Sequence, residues 1–150
     1  MRGRRVVPAG STARPSAPSG SSLSVELPWP APTLWPNARP HWAAKARAAK
    51  AMRHLGFVLM HHEIGGRTFY VGGQLLVDLE FRPPALRRDG SRNPSVPDVD
   101  NCVAALKSGL DGIADALGVD DRVFRLQPPQ LLAASDEAAA GSVRVTVRGH

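Results

Sequence analysis

Four carboxylates bracket one amphipathic run between Pro97 and Phe124. Asp98 and Asp100 stand just ahead of it, and Asp120 and Asp121 follow Gly118 at its far end. Residues two apart on an extended backbone point to the same side, so the first pair can offer oxygens in one direction. Lys107 lies about two turns into the run. Hydrolysing a phosphodiester requires an activated water, neutralised phosphoryl oxygens and a stabilised leaving oxyanion, and Mg²⁺ supplies much of this. That ion prefers carboxylate and water oxygens in an octahedral shell with few protein ligands. Asp98, Asp100 and one of Asp120 or Asp121 would make such a set, with the Lys107 ammonium reaching a scissile phosphate or orienting the water. The same residues also have a purely architectural reading. Asp100 or Asn101 would cap a helix, Asp120 and Asp121 would form a solvated turn, and Lys107 would pair with Asp111 one turn on.

Other chemistries fit this stretch less well. A calcium loop would need an oxygen ligand at 102 and glycine at 103, where Cys102 and Val103 stand. A phosphotransferase using Asp98 as nucleophile would follow Asp-x-Asp-x-Thr, and Cys102 occupies the threonine's place. No G-x-x-x-x-G-K-[ST] phosphate loop occurs. His61, His62 and Glu63 resemble metal ligands, but adjacent helical residues diverge by about 100 degrees, which favours a structural or surface role.

The elements that must hold these groups are legible from periodicity. Leu23 to Leu27 alternates apolar and polar residues, as a strand with one buried face does. Prolines 28, 30, 32, 36 and 40 keep the next connection extended, and Trp29, Trp35 and Trp42 lie in or beside it, packing over the core edge rather than stacking on bases. From Trp42 to Met60 or His62 the chain is rich in Ala, Lys, Arg and Leu, a first long helix behind Pro40. Glycine pairs at 65–66 and 72–73 flank a possible short strand at Arg67–Val71. Gln74 to Phe81 alternates as a strand with Leu75, Val77, Leu79 and Phe81 on one face. The second helix carries Val103, Leu106, Leu110, Ile113 and Leu117 at spacings of three and four, a core-facing stripe, and Gly118 is its C-cap. Val123 to Leu126 with Leu131-Leu132 forms a third strand interrupted by Pro128-Pro129. Ala133 to Gly141 reads as an acidic-tipped hairpin loop before a last strand, Ser142 to Arg148. About four strands and two main helices make an α+β domain.

The chain has 150 residues, 43% of them apolar, enough for one core. Residues 1–22 are mostly Arg, Pro, Gly, Ser and Ala, the composition of a disordered basic tail, leaving 23–150 as the domain. Of the formal net charge of +6, the tail carries four, so the body is only mildly basic. That basicity is concentrated: Arg39, Lys45, Arg47, Lys50 and Arg53 have no acidic residue among them or as far as His62. A helix with no i,i+4 acidic partners suits phosphate contact, and the Arg87-Arg88 loop adds charge just before Asp98. We therefore take Arg39, Lys45, Arg47, Lys50, Arg87 and Arg88 as candidate nucleic-acid contacts. No apolar run reaches the roughly 18 residues that span a bilayer. Cys102 is the sole cysteine, which excludes an intramolecular disulfide and suits a reducing cytoplasm.

At these residues the chain resembles the RusA family of Holliday junction resolvases. The matching pieces, in the family's order, are Leu27-Pro-Trp-Pro30, Asn37-Ala-Arg39-Pro-His41-Trp42, Asp98-Val-Asp100-Asn101, Lys107-Ser-Gly-Leu110-Asp111-Gly112 and Asp120-Asp121-Arg-Val-Phe124. The resemblance implies a mixed sheet with helices and a homodimeric endonuclease using Mg²⁺, with Mn²⁺ as a substitute, that resolves four-way junction DNA by paired nicks. It implies metal binding by Asp98, Asp100 and Asp121 and an essential role for Lys107. The spacing departs from the best-known member at one place: Asn101 and Lys107 are about one helical turn further apart. The alternative from another class is a branched-DNA-binding protein whose acidic cluster is structural.

Overall fold

The computed structural model describes residues 22–67, 69, 72–87, 89–93 and 97–149. Strand β1 (Ser22–Pro28) leads through a 3₁₀ turn at Pro32–Leu34 to helix α1 (Trp42–Ile64) and strand β2 (Leu75–Arg82). Helices α2 (Val99–Ala105) and α3 (Lys107–Leu117) precede β3 (Phe124–Leu126), β4 (Gln130–Leu131) and β5 (Ser142–Gly149). The domain is α+β, with three helices and five strands among the described residues. The count exceeds the expected two helices and four strands because two elements are interrupted. The expected second helix is split at Leu106, whose N–H is shared between the carbonyls of Cys102 and Val103 at 3.2 and 3.1 Å. The third strand is cut in two by Pro128-Pro129, which have no N–H to give to a ladder.

The sheet runs β1-β5-β2-β3, with β4 continuing beside β2 beyond β3. β5 is antiparallel to both β1 and β2, whereas β3 and β4 are parallel to β2, so the sheet is mixed. The stretch 133–141 is therefore not a hairpin loop: β4 and β5 lie on opposite sides of β2, and the connection, with a 3₁₀ turn at Asp136–Ala138, spans from one to the other. The possible strand at 67–71 falls partly outside the described residues; Arg67 and Phe69 are not in a strand. Of the tail, only Ser22 is described, as the first residue of β1.

Alternation puts Leu23, Val25, Leu27, Leu75, Val77, Leu79, Phe81, Val143, Val145 and Val147 on one buried face. Met52 and Met60 of α1, Cys102 of α2, Leu106, and Leu110 and Ile113 of α3 complete the core. The opposite face carries cross-strand polar pairs, such as Arg148 with Asp78 at 2.7 Å and Ser24 with Thr146 at 3.1 Å.

The two long helices meet through glycine. A Cβ on Gly56 would overlap the Gly109 carbonyl oxygen, and one on Gly112 would overlap the Arg53 carbonyl oxygen and lie 2.9 Å from the Phe57 nitrogen. The backbones of α1 and α3 are therefore in direct contact. Gly112→Ala should destabilise the fold by about 3 kcal/mol, the upper end of overpacking costs, because the obstacle is backbone and cannot swing away. Gly118→Ala, strained only by its φ of 71°, should cost about 1–2 kcal/mol. Urea unfolding of both variants checks this, and an unchanged midpoint for Gly112→Ala would show that the helices are not held at this distance.

Candidate functional site

Beyond β2 the chain returns to Pro97, and Asp98, extended at φ −73° and ψ 127°, starts α2. Its carboxylate accepts the Asp100 N–H at 2.8 Å. The cap is thus Asp98, not Asp100 or Asn101: only the residue with extended ψ can swing its side chain over the first free amides. Asp100 stands exposed in the first turn, where the helix dipole favours a carboxylate.

Lys107 opens α3 and points along it. Its Nζ donates to Asp111 Oδ1 at 3.3 Å and, across 14 residues, to Asp121 Oδ2 at 3.4 Å. The Lys107 pKa is raised, first by the bond to Asp111. Asp121 is brought there by the turn after α3, where Gly118 closes the helix and the 3₁₀ turn Asp121–Val123 begins. The adjacent acid is used differently. Asp120 accepts the Arg122 backbone N–H at 2.9 Å and the Arg122 guanidinium at 3.1 Å, which lowers its pKa. Of the two, Asp121 is therefore the one that faces Lys107.

Arg53 of α1 reaches over to α3 and grips Asp115 through two bonds of 2.8 and 3.1 Å. Each partner shifts the other: Arg53 upward and Asp115 downward. A polar cleft of about 440 Å³ is lined by Arg53, Asp115, Asp120, Lys107, Asp111 and Asp121. The last three also border a second hollow, about 260 Å³, whose other walls are Val103, Leu110, Phe124 and Leu126. Lys107, Asp111 and Asp121 thus form the ridge between a charged cleft and an apolar one.

Mg²⁺ chemistry is a test these residues meet in part. Asp98 and Asp100 are exposed carboxylates that keep three oxygens free of partners among the described residues, but Asp100 lies in the first turn of α2 rather than on an extended backbone, so the expected same-side alignment of the two does not hold. The third expected ligand, Asp121, is hydrogen-bonded to Lys107. Among the described residues no group of three or more Asp, Glu, His or Cys side chains is placed to hold a metal ion. Lys107 follows Asp100 by seven residues, roughly 10 Å of helix, and Asp121 sits at the lysine's tip.

None of the described basic candidates lines the two clefts beside this ridge. Arg39, Lys45, Arg47 and Lys50 are exposed and, among the described residues, paired with no acid. Arg87 is exposed in the loop after β2; Arg88 lies outside the described residues. Two tryptophans pack as expected: Trp29 lies 5.6 Å from Trp35 and edge-on to Phe81. Trp42 does not, standing 76% exposed against His41 at the start of α1. His61 stacks on Phe57. No helix among the described residues is long and apolar enough to cross a membrane.

No family model matches the chain. A protein of Xylella fastidiosa described as an uncharacterized protein is 38% identical over 127 residues, which cover 84% of this chain and 76% of that one. The chain belongs to that protein's family. The likeness extends over most of both chains and so concerns the whole domain rather than an isolated motif.

Arg53 and Asp115 are site residues that periodicity and motif do not single out. Their common signal is the glycine content of the helices, because Gly56, Gly109 and Gly112 bring Arg53 within reach of α3. Cys102, between the first acids and the lysine, has no exposed surface, and burial, followed by the charge of Asp98, pushes its thiol up to about 11. Iodoacetamide at pH 8 should therefore label Cys102 far more slowly in the folded protein than in urea. Equal rates would show that α2 opens freely.

Proposed function

We propose that this protein is a metal-dependent endodeoxyribonuclease of the RusA type, cutting four-way DNA junctions by paired nicks as a homodimer in the cytoplasm. The observation that carries the reading is the approach of Lys107 to Asp121 across 14 residues. The resemblance implies a role for both, Lys107 as an essential lysine and Asp121 as a metal-binding acid, and these residues, far apart in sequence, meet at the tip of one side chain. The unpaired cations of α1 supply the second requirement, a surface for phosphate. Trp42, exposed among Arg39, Lys45 and Arg47, adds a flat apolar surface on which a base can stack.

In this reading Asp98 and Asp100, with Asp121 as the third position the resemblance implies, would hold Mg²⁺, or Mn²⁺ in its place, which would neutralise phosphoryl charge and lower the pKa of a water. Lys107 binds a non-bridging phosphate oxygen, exchanging one carboxylate for the substrate anion. Asp121 lies next to it and accepts a proton or a hydrogen bond from the attacking water. Two-fold symmetry in a homodimer places two such sites against opposed strands, as paired nicking requires. The buried, reduced Cys102 is in keeping with a reducing compartment.

A second reading has its own support. Lys107 is already held by two carboxylates, and Asp98 caps a helix, so the acids have structural work without a metal. A junction-binding protein that does not cut would look the same. Incubation with an end-labelled four-way junction and Mg²⁺ or Mn²⁺ separates the two. The nuclease reading expects symmetric nicks, abolished in Asp100→Asn. Tight junction binding with no nicks in any divalent metal would support the binding reading, and no preference for branched over linear DNA would overturn both.

The basic helix can be tested independently of cleavage. Replacing Lys45, Arg47 and Lys50 by alanine should weaken DNA binding and flatten its dependence on log salt by about one for each phosphate no longer bound. An unchanged salt slope would place the DNA elsewhere.

A further inference from the structure

We infer that Asp111 is a positioning residue: it holds the Lys107 ammonium against Asp121 and toward the place a phosphate would occupy. The inference rests on the nuclease reading for its catalytic consequence, but the pairing itself can be tested without it.

Lys107 is 69% exposed, on a flexible four-carbon stem, and an exposed lysine left alone samples many directions. Asp111 is only 25% exposed and sits one turn further along α3. Of the three members of the ridge it is the least free to move, since the Asp121 side chain is 43% exposed and belongs to a turn. The anchor is therefore Asp111, with Lys107 and Asp121 the more mobile partners.

Helix stability explains the pair poorly. Lysine preceding an acid by four residues is the weaker of the two orders, and a cation in the first turn of a helix opposes the dipole. Arg53 lines the same charged cleft; its two hydrogen bonds go to Asp115 and none to Asp111, although its charge reaches Asp111 and Asp121. For hydrogen bonding, Asp111 is thereby left to the lysine. Its carboxylate accepts from Lys107 Nζ, whereas Asp98 is occupied with the Asp100 N–H and Asp121 with the same lysine, so Asp111 acts on the site through Lys107.

The chain has only three lysines, Lys45, Lys50 and Lys107, and the first two are exposed without an acidic partner among the described residues, which gives an internal reference. Full-length protein is treated with limiting acetic anhydride, and acetylation at each lysine is followed by peptide mass spectrometry. In the wild type Lys107 should react several-fold more slowly than Lys45 and Lys50. Asp111→Asn should bring it to parity, and Asp111→Glu should keep it slow, with thermal midpoints close to wild type in both. Equal Lys107 reactivity in wild type and Asp111→Asn would overturn the proposal. In the nicking assay Asp111→Asn should lower kcat by about ten- to a hundredfold with little change in KM, and Asp111→Glu should recover most of it. A KM effect with kcat intact would also overturn it. Should the wild type cut no DNA, the nuclease reading fails by itself, while the acetylation result still decides whether Asp111 holds the lysine.

Discussion

The contact between α1 and α3 is the constraint on which the rest of the site depends. Helices carrying ordinary side chains pack with axes about 8–10 Å apart. Gly56, Gly109 and Gly112 remove the Cβ atoms at the crossing, and the backbones touch. This close approach lets a residue of α1, Arg53, bond with two hydrogen bonds to an exposed carboxylate of α3. It also leaves α3 a fixed strut: one side faces the sheet through Leu110 and Ile113, and another is pressed on α1. Lys107 and Asp111 project from what remains of its surface.

Charge is distributed over this frame in a consistent way. Four acids stand at the two ends of the α2–α3 segment, Asp111 and Asp115 lie within α3, and the unpaired cations occupy the first half of α1. Arg53 stands at the boundary, hydrogen-bonded to Asp115, and its charge also reaches Asp111 and Asp121. Lys107 on the ridge is held only by acids of its own helix and of the turn that follows it, whereas the cations of the first half of α1 have no acidic partner among the described residues. Surface ion pairs of this kind add little to stability. Their effect is directional: they decide which charges are available to a ligand and which are spent within the fold.

Much of this is legible from residue order. Strict alternation in Leu75 to Phe81 and Val143 to Val147 allows one face only to be buried, and the stripe on α3 follows from 3–4 spacing. The pairing of Lys107 with Asp111 is likewise local. What a one-dimensional pattern lacks is the partner of each surface. Nothing in Ala133 to Gly141 says that β4 and β5 flank β2, since a turn-rich stretch looks the same whether it joins neighbours or spans a strand. Residue order places the cap of α2 two or three residues late because Asp98, Asp100 and Asn101 are all good capping residues, and the choice depends on which one has an extended ψ. Arg53 reads as one more cation in an unpaired run. Its partner lies 62 residues away, beyond the reach of any helical periodicity.

In the proposed nuclease reading, the extra turn between Asn101 and Lys107 that the resemblance implies bears directly on the chemistry. An insertion of about one turn preserves the face of a helix but adds about 5.4 Å along its axis. Relative to the family it resembles, Lys107 would therefore keep its helix face while lying further from Asp98 and Asp100, and Asp121, in the turn after Gly118, would move with it. The shared-N–H break at Leu106 falls inside the longer segment, immediately before the lysine. Acids at the start of α2 and the lysine–acid ridge on α3 consequently form two groups on one strut. In the proposed nuclease reading a nucleic-acid backbone, whose charge repeats every few ångströms along the strand, would meet the lysine directly and the acids only through a bound cation.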